Sequence, residues 1–519
     1  MGMPIMQLTT QEIQVGVIPS GTIPESLIVS SDSRHFACVV LQDGRMCVAH
    51  DGNRQREYEA ILRGTPIFSP DGQRVAYAAQ RDGKEVVVVD GIEGPEYEAI
   101  VENTLCFSPD SRRIAYVGFR DEEMVAVVDG VESRSFPFIF RGPSLFSPDS
   151  QRVAFVGWRD LKAVVIVDGQ SAELYDAVRE DTPVFSPDSQ LIAFVAHHGG
   201  EFIPQSPRSG QQGLAAVQGG KALVVCDGIS HREYDEIIGA PRFSPDGAHL
   251  AYTAVRDGRA FMVVDGNESE GYDGIGEAMP IFSPDGKRLA YIIHVKGKGA
   301  VVVDGVKSGL YDAIGTGTPV FSPDSRHIAY VVQRGWKSVL VVDGSEGEAK
   351  YRYIQKHTLA FSPDSQRIAY AARPGIVGLK GTVVVDGKQG PVYPALGLGA
   401  PIFSPDSRRV AYMAGAGWNK GFAVVDGQEG QPCNQFMEGS LAFSRDGSYV
   451  VYQAKINGRA AVMVDGIPGQ QGTAIFPQEG SPLKSSEIVF DSSDSFHILT
   501  FRPDGGVYLM EVKVTGAAT

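Results

Sequence analysis

The sequence predicts an all-β protein, a β-propeller of twelve four-stranded antiparallel blades. Three observations predict it. A Ser-Pro-Asp or close variant recurs with its Asp at positions 32, 71, 110, 149, 188, 246, 285, 324, 364, 406, 446 and 494, most often 39 residues apart. In the first eleven repeats an Asp-Gly pair follows, at Asp51, Asp90, Asp129, Asp168, Asp227, Asp265, Asp304, Asp343, Asp386, Asp426 and Asp465. Composition agrees, since 61 Gly, 31 Pro and 43% hydrophobic residues with little helical periodicity suit short strands joined by tight turns.

Two turn signals per unit imply four strands. In the second unit, strand A is expected over Thr65 to Ser69, the turn at Pro70-Asp71-Gly72, strand B over Arg74 to Ala79 and the next turn at Arg81 to Lys84. Strand C follows over Glu85 to Val89, Asp90-Gly91 opens a longer turn, and strand D is expected over Tyr97 to Ile100. Pro fixes φ at the first turn position and Asp bonds its own backbone two residues on, so the signature is turn chemistry and not catalysis. A four-stranded sheet has two apolar faces, and burying both requires neighbouring blades to stack face to face. The Phe before each Ser-Pro, such as Phe68, Phe107 and Phe146, and the aromatic of strand B, such as Tyr77, Tyr116 and Phe155, are expected to fill these seams. Proline at the start of strand A, as at Pro66, Pro183 and Pro401, blunts the inner edge.

The run Phe-Ser-Pro-Asp-Gly/Ser followed by Arg-Ile-Ala-Tyr, as at Phe107 to Asp110 and Arg113 to Tyr116, resembles the WD-repeat-like, TolB-type propeller repeats. Prolyl-oligopeptidase-type enzymes carry similar repeats. The resemblance covers nearly the whole chain and implies the propeller fold, which serves as a binding platform in unrelated systems. TolB-like proteins have half as many blades as this chain has repeats.

Propellers usually have about four to eight blades, which favours two six-bladed rings, about 1–280 and 281–519. The spacing favours a single closed ring over 1–519. Repeats six and seven are separated by the standard 39 residues, Asp246 to Asp285, and leave no chain for an inter-domain linker. The last repeat supplies strands near Ser486 to Phe490, His497 to Phe501 and Val507 to Val512 but no fourth. A strand-like segment at about 12–18 is expected to close that blade. Insertions are expected at about 196–220 and 469–486, both rich in Gly, Gln, Ser and Pro.

Five cysteines without paired spacing read as small buried hydrophobes in a reducing compartment. No charged segment followed by an apolar core marks the N-terminus, and no apolar run approaches the roughly 18 residues needed to span a bilayer. The expected location is cytoplasmic, or periplasmic or extracellular if a signal peptide has been removed.

Turns from A to B and from C to D share one face, and turns from B to C and from D to the next A share the other. The framework Asp residues all lie on the first face; removing these 23 from the 62 acids leaves 39 against 47 basic residues. The B-to-C face is therefore expected to be locally basic. Candidate binding residues on it are Arg81, Arg120, Arg159, Trp158, Arg256, Arg334, Trp336, Trp418 and Lys420, because aromatic and basic residues together typify binding surfaces. His197-His198 lacks Cys or acidic partners nearby and adjacent strand residues point to opposite faces, so no metal ligand set is read there.

No Gly-x-Ser-x-Gly elbow, phosphate loop or His-Glu-x-x-His helix is present, and the repeats leave no room for an attached hydrolase. No cofactor and no membrane contact are read. A net charge of -15 and the lack of a recurring stacking motif oppose nucleic acid. The reading is a non-catalytic binding or scaffold propeller that presents its B-to-C loop face to an unknown protein or anionic ligand. The alternative is a propeller enzyme, a hydrolase or lyase, with a site at the channel mouth.

Overall fold

In most repeats the chain has two places where it reverses within two residues, and both are set by backbone chemistry. In the second blade, Asp82 and Gly83 take φ of 52° and 71°, and Asp90 and Gly91 take 52° and 80°. Positive φ at both central residues is the type I′ geometry whose twist matches the flanking strands. Arg81 accordingly faces Lys84 across the B-to-C turn, and Val89 faces Ile92 across the C-to-D turn.

The computed structural model describes residues 6–139, 146–179, 181–199, 201–203, 216–218, 220–276, 280–375, 380–397, 399–417, 420–437, 439–456, 459–468, 487–502 and 504–515. Among them lie twelve antiparallel blade sheets, each ordered A-B-C-D, together with one two-stranded ladder of Glu201–Ile203 on Ala216–Gln218. The chain divides into two compact units. Tyr58–Leu310 holds blades two to seven. Met1–Glu57 with Tyr311–Thr519 holds blade one and blades eight to twelve.

Strand D differs from its sequence expectation. It is Ile92–Tyr97 in the second blade, directly after the two-residue turn, whereas Ala99–Ile100 already pairs with strand B of the third blade. The Gly94-Pro95 pair reads as a loop, yet an outer edge strand tolerates it because one side has no ladder to complete. Strand A is split in two, Ala60–Ile61 and Ile67–Phe68, both paired with strand B. The backbone N–H of strand B opposite the split is met by a hydroxyl: Thr104 Oγ1 accepts from Val117 N (3.1 Å) and donates to Val101 O (2.6 Å). Ser26, Thr182, Thr318, Thr358 and Ser440 repeat this plug. Blade ten has Ala400 at the plug position, and a cavity of about 240 Å³ opens there against Gly397, Pro401, Met413 and Phe436.

The Ser-Pro-Asp turn is a closed hydrogen-bond unit. Ser108 Oγ, fully buried, donates to Asp110 Oδ1 (2.5 Å) and accepts from Arg113 N (2.9 Å). The Ser hydroxyl and the Arg112 amide hold the Asp110 carboxyl below the usual range. Arg113 then pairs with Asp129 (2.8 Å), donates to the carbonyls of Ser150 and Gln151 in the next blade, and lies over the Phe146 ring at 5.2 Å. The same clasp is made by Arg74, Arg152, Arg367 and Arg409. Where the residue after the turn Asp is Ser rather than Gly, it too reaches across: Ser150 (φ 65°) accepts from Asp110 N at 3.0 Å.

The seams are aromatic, with Tyr77, Tyr116, Tyr252 and Tyr452 buried in strand B. Tyr97 meets Tyr116 edge-on at 5.9 Å, and Phe136 meets Phe155 at 6.0 Å. The last blade consists of Val489–Phe490, Ser495–Phe501 and Gly506–Thr515, and its fourth strand is Gln7–Val17 from the N-terminus. The insertion expected at 469–486 lies outside the described residues, as does most of that at 196–220.

Candidate functional site

Strand B ends on the B-to-C face in an arginine in several blades, and the structure shows what each guanidinium meets. Arg81 pairs with Glu93 and Glu96 at 2.5 Å each, and Arg120 with Glu132 at 2.9 Å. Arg256 is bidentate on Glu268 (2.5 and 2.9 Å) and lies over the Phe261 ring at 4.8 Å. Arg334 is bidentate on Glu346 and lies 5.0 Å from the Tyr311 ring. Each of these Glu residues except Glu96 is the second residue after an Asp-Gly turn, an Asp-Gly-x-Glu signal visible in the sequence.

The same carboxylates bind a tyrosine. Tyr97 Oη donates to Glu132 and Tyr234 Oη to Glu268, both at 2.8 Å. Each tyrosine belongs to the preceding blade, so the triad is a second clasp across the seam. The Arg256 hydrogen bonds, with that of Tyr234, lower the Glu268 carboxyl from 4.5 to about 2. The expected basic character of this face is therefore largely offset. Sorting charge by loops alone left out strand D, whose acids reach the arginines across strand C.

Blade four departs from this pattern. Its Asp-Gly pair is followed by Gln170-Ser171, and Arg159 makes no ion pair among the described residues; its guanidinium sits 5.6 Å from the buried Phe136 ring. The turn Asp160-Leu161 takes φ of 50° and 61°, where blades two and six place Gly83 and Gly258. Leu161 is 91% exposed. A bulky residue at positive φ costs about 1–2 kcal/mol relative to glycine. Among the described residues little recovers that cost, because the side chain is almost wholly exposed.

An apolar cleft of about 370 Å³ opens between blades two, three and four, lined by Leu62, Ile100, Val101, Phe119, Met124 and Phe138, with Glu85 and Glu102 among its walls. Among its walls, Ala99 pairs with Phe119, and Phe138 pairs with Trp158. Glu85 is held in place by accepting the Ile100 N–H at 2.6 Å. Trp158 is half-buried and packs against the cluster of Val156, Val165 and Phe194.

In the other unit, Trp336 occupies the two-residue turn after Gly335 (φ 58°) and is 80% exposed, with the Arg352 guanidinium 5.3 Å from its ring. Lys420 is the exposed first residue of strand C in blade ten, and Trp418 lies outside the described residues. The sequence named Arg159, Trp158 and Arg120 in blades three and four but not Leu161, nor the cleft residues Phe138 and Met124. Leu161 carried a signal, a leucine in the slot where several sister repeats have glycine.

The strand pairing and the clasps define the class: a β-propeller of twelve four-stranded antiparallel blades. Solved structures with similarity include one described as the eukaryotic initiation factor, at 16% identity and TM-score 0.32 over 70% of this chain and 94% of that one. The Dos1 propeller matches at 13% identity and TM-score 0.29 over 63% of this chain and 91% of its own. The putative TolB from Agrobacterium tumefaciens matches at 18% identity and TM-score 0.22 over 46% and 91%. No protein-family model and no curated protein matches the chain. Among the described residues no helix is long and apolar enough to cross a membrane.

Proposed function

We propose that the chain is a non-catalytic binding propeller that presents the B-to-C face of blades two to four to a protein partner. The observation that carries this reading is Leu161, an apolar side chain exposed to 91% at a turn position whose geometry asks for glycine. Such a residue is disfavoured by the fold and gains only when covered. The cleft between blades two, three and four offers an apolar seat of about 370 Å³ for one anchoring side chain of the partner. Glu85 and Glu102 in its walls favour a basic residue beside that anchor over an anionic ligand. Arg159, with no ion pair among the described residues, and Arg120, paired with Glu132, supply polar groups on the same face.

The test is affinity capture from source-cell lysate with quantitative mass spectrometry, comparing wild type with Leu161→Gly, followed by titration calorimetry with the recovered protein. Burying a leucine contributes about 1.5–3 kcal/mol, so the variant should bind at least about tenfold more weakly while remaining folded. A partner retained equally by both proteins, or none captured by wild type, would refute the reading.

A further inference from the structure

Copies of one blade act as controls for one another, and blade one alone combines two histidines that meet in space. The clasp position after the Ser-Pro-Asp turn, Arg in six of the twelve blades and His in four, is His35 in blade one. The residue before the Asp-Gly turn is apolar elsewhere, as in Val89, Val128, Val264, Val303 and Val342, and here it is His50. The turn residue itself is Asp51. His35 Nδ1 lies 2.7 Å from Asp51 Oδ2, and His50 Nε2 lies 3.7 Å from the same oxygen. One ligand atom from each of the three falls within 4.8 Å of the others.

We propose that His35, His50 and Asp51 form a divalent transition-metal site, with zinc the ion best suited to it. Two imidazoles and one carboxylate are a recurrent donor set for this ion, which takes Zn–N and Zn–O bonds of about 2.0–2.2 Å in tetrahedral geometry. Tetrahedral bonds of that length put ligand atoms about 3.3–3.5 Å apart. The hydrogen-bonded pair must open and the widest pair must close by an ångström or so, which side-chain rotation supplies. Asp51 Oδ1 already accepts the Phe36 N–H at 3.0 Å, leaving Oδ2 for the ion and fixing the carboxylate plane. All three side chains are half-buried, so an ion can enter and water can fill the fourth position.

Half of the set, the His-Asp pair, occurs elsewhere. His249 with Asp265 and His327 with Asp343 reproduce the 2.7 Å pair, but the residues before those Asp are Val264 and Val342. Neither offers a third ligand. The coincidence of both substitutions in one blade is what singles out the cluster, and 15 residues of separation hid it from motif spacing.

The experiment is titration of the tag-free full chain with Zn²⁺ by calorimetry, and with Co²⁺ by visible absorption, for wild type, His50→Val, His249→Ala and His327→Ala. His50→Val restores the residue that sister blades carry and so keeps the fold. Losing an outer-shell partner costs about 10–100-fold in metal affinity, so losing a ligand should cost at least about 100-fold. Wild type and the two alanine variants should bind one ion with tetrahedral Co²⁺ bands, and His50→Val should show neither. Absence of saturable binding by wild type, or equal binding by His50→Val, would overturn the proposal.

Discussion

Replacing Glu268 by Gln tests whether the Arg-Glu-Tyr triads hold blades together. Glu268 is 18% exposed and receives Arg256 at two oxygens, Tyr234 at 2.8 Å and Arg232 at 3.2 Å. Folding lowers its pKa from 4.5 to about 2, with the Arg256 hydrogen bonds the largest cause. By linkage such a carboxylate contributes at most about 3.4 kcal/mol. Solvent reaches the cluster through Arg232, itself 63% exposed, and screening reduces the figure to about 1–2 kcal/mol. Because the folded pKa is the depressed one, this stability is fully present above pH 4.5 and disappears as pH falls toward about 2.

Glutamine still accepts from Tyr234 but offers Arg256 one neutral acceptor in place of a two-oxygen carboxylate. Hydrogen exchange read by mass spectrometry should therefore show the slow amides of Leu250–Arg256 and Arg259–Val264 exchanging about 5–30-fold faster in Glu268→Gln at neutral pH. At about pH 3 the difference should shrink by more than half. Equal exchange at neutral pH, or a difference that persists undiminished in acid, would refute the reasoning.

Two further outcomes follow from the turns and plugs. Thr318→Ala strips the hydroxyl from Val331 N and should destabilise its blade by about 1–2 kcal/mol, whereas Ala400→Thr should stabilise blade ten by up to about 1 kcal/mol; local exchange protection measures both. At Ser150, alanine keeps the positive φ yet loses the bond from Asp110 N, so Ser150→Ala should cost about 1 kcal/mol more than Ser150→Gly in denaturant melts.

The turns were legible because their chemistry is local: Ser-Pro-Asp and Asp-Gly encode hydrogen bonds and φ values within a few residues, and strands B and C follow between them. Strand D was misplaced because an edge strand tolerates Gly94-Pro95, which in isolation reads as loop. The split of strand A was hidden for a related reason, since Thr104 reads as an ordinary β residue until Val117 N is found against it. At the candidate site, residue type led to Arg159 and Trp158, but charge was misjudged because Arg120 and Glu132 lie 12 positions apart and meet only across strand C. Leu161 required comparison of repeats position by position, not composition.

Both clasps that pin a seam, Arg113 on the carbonyls of Ser150 and Gln151 and Tyr97 on Glu132, join one blade only to its neighbour. Stability in such an array approximates a sum of nearest-neighbour terms. None of the clasping atoms lies in the two central residues of a B-to-C turn. Mutation can therefore rewrite one turn dipeptide at a time, as Asp82-Gly83, Asp160-Leu161 and Gly335-Trp336 differ already, without renegotiating the seams. The framework thus separates evolvability from foldability, and new recognition surfaces are open to selection blade by blade.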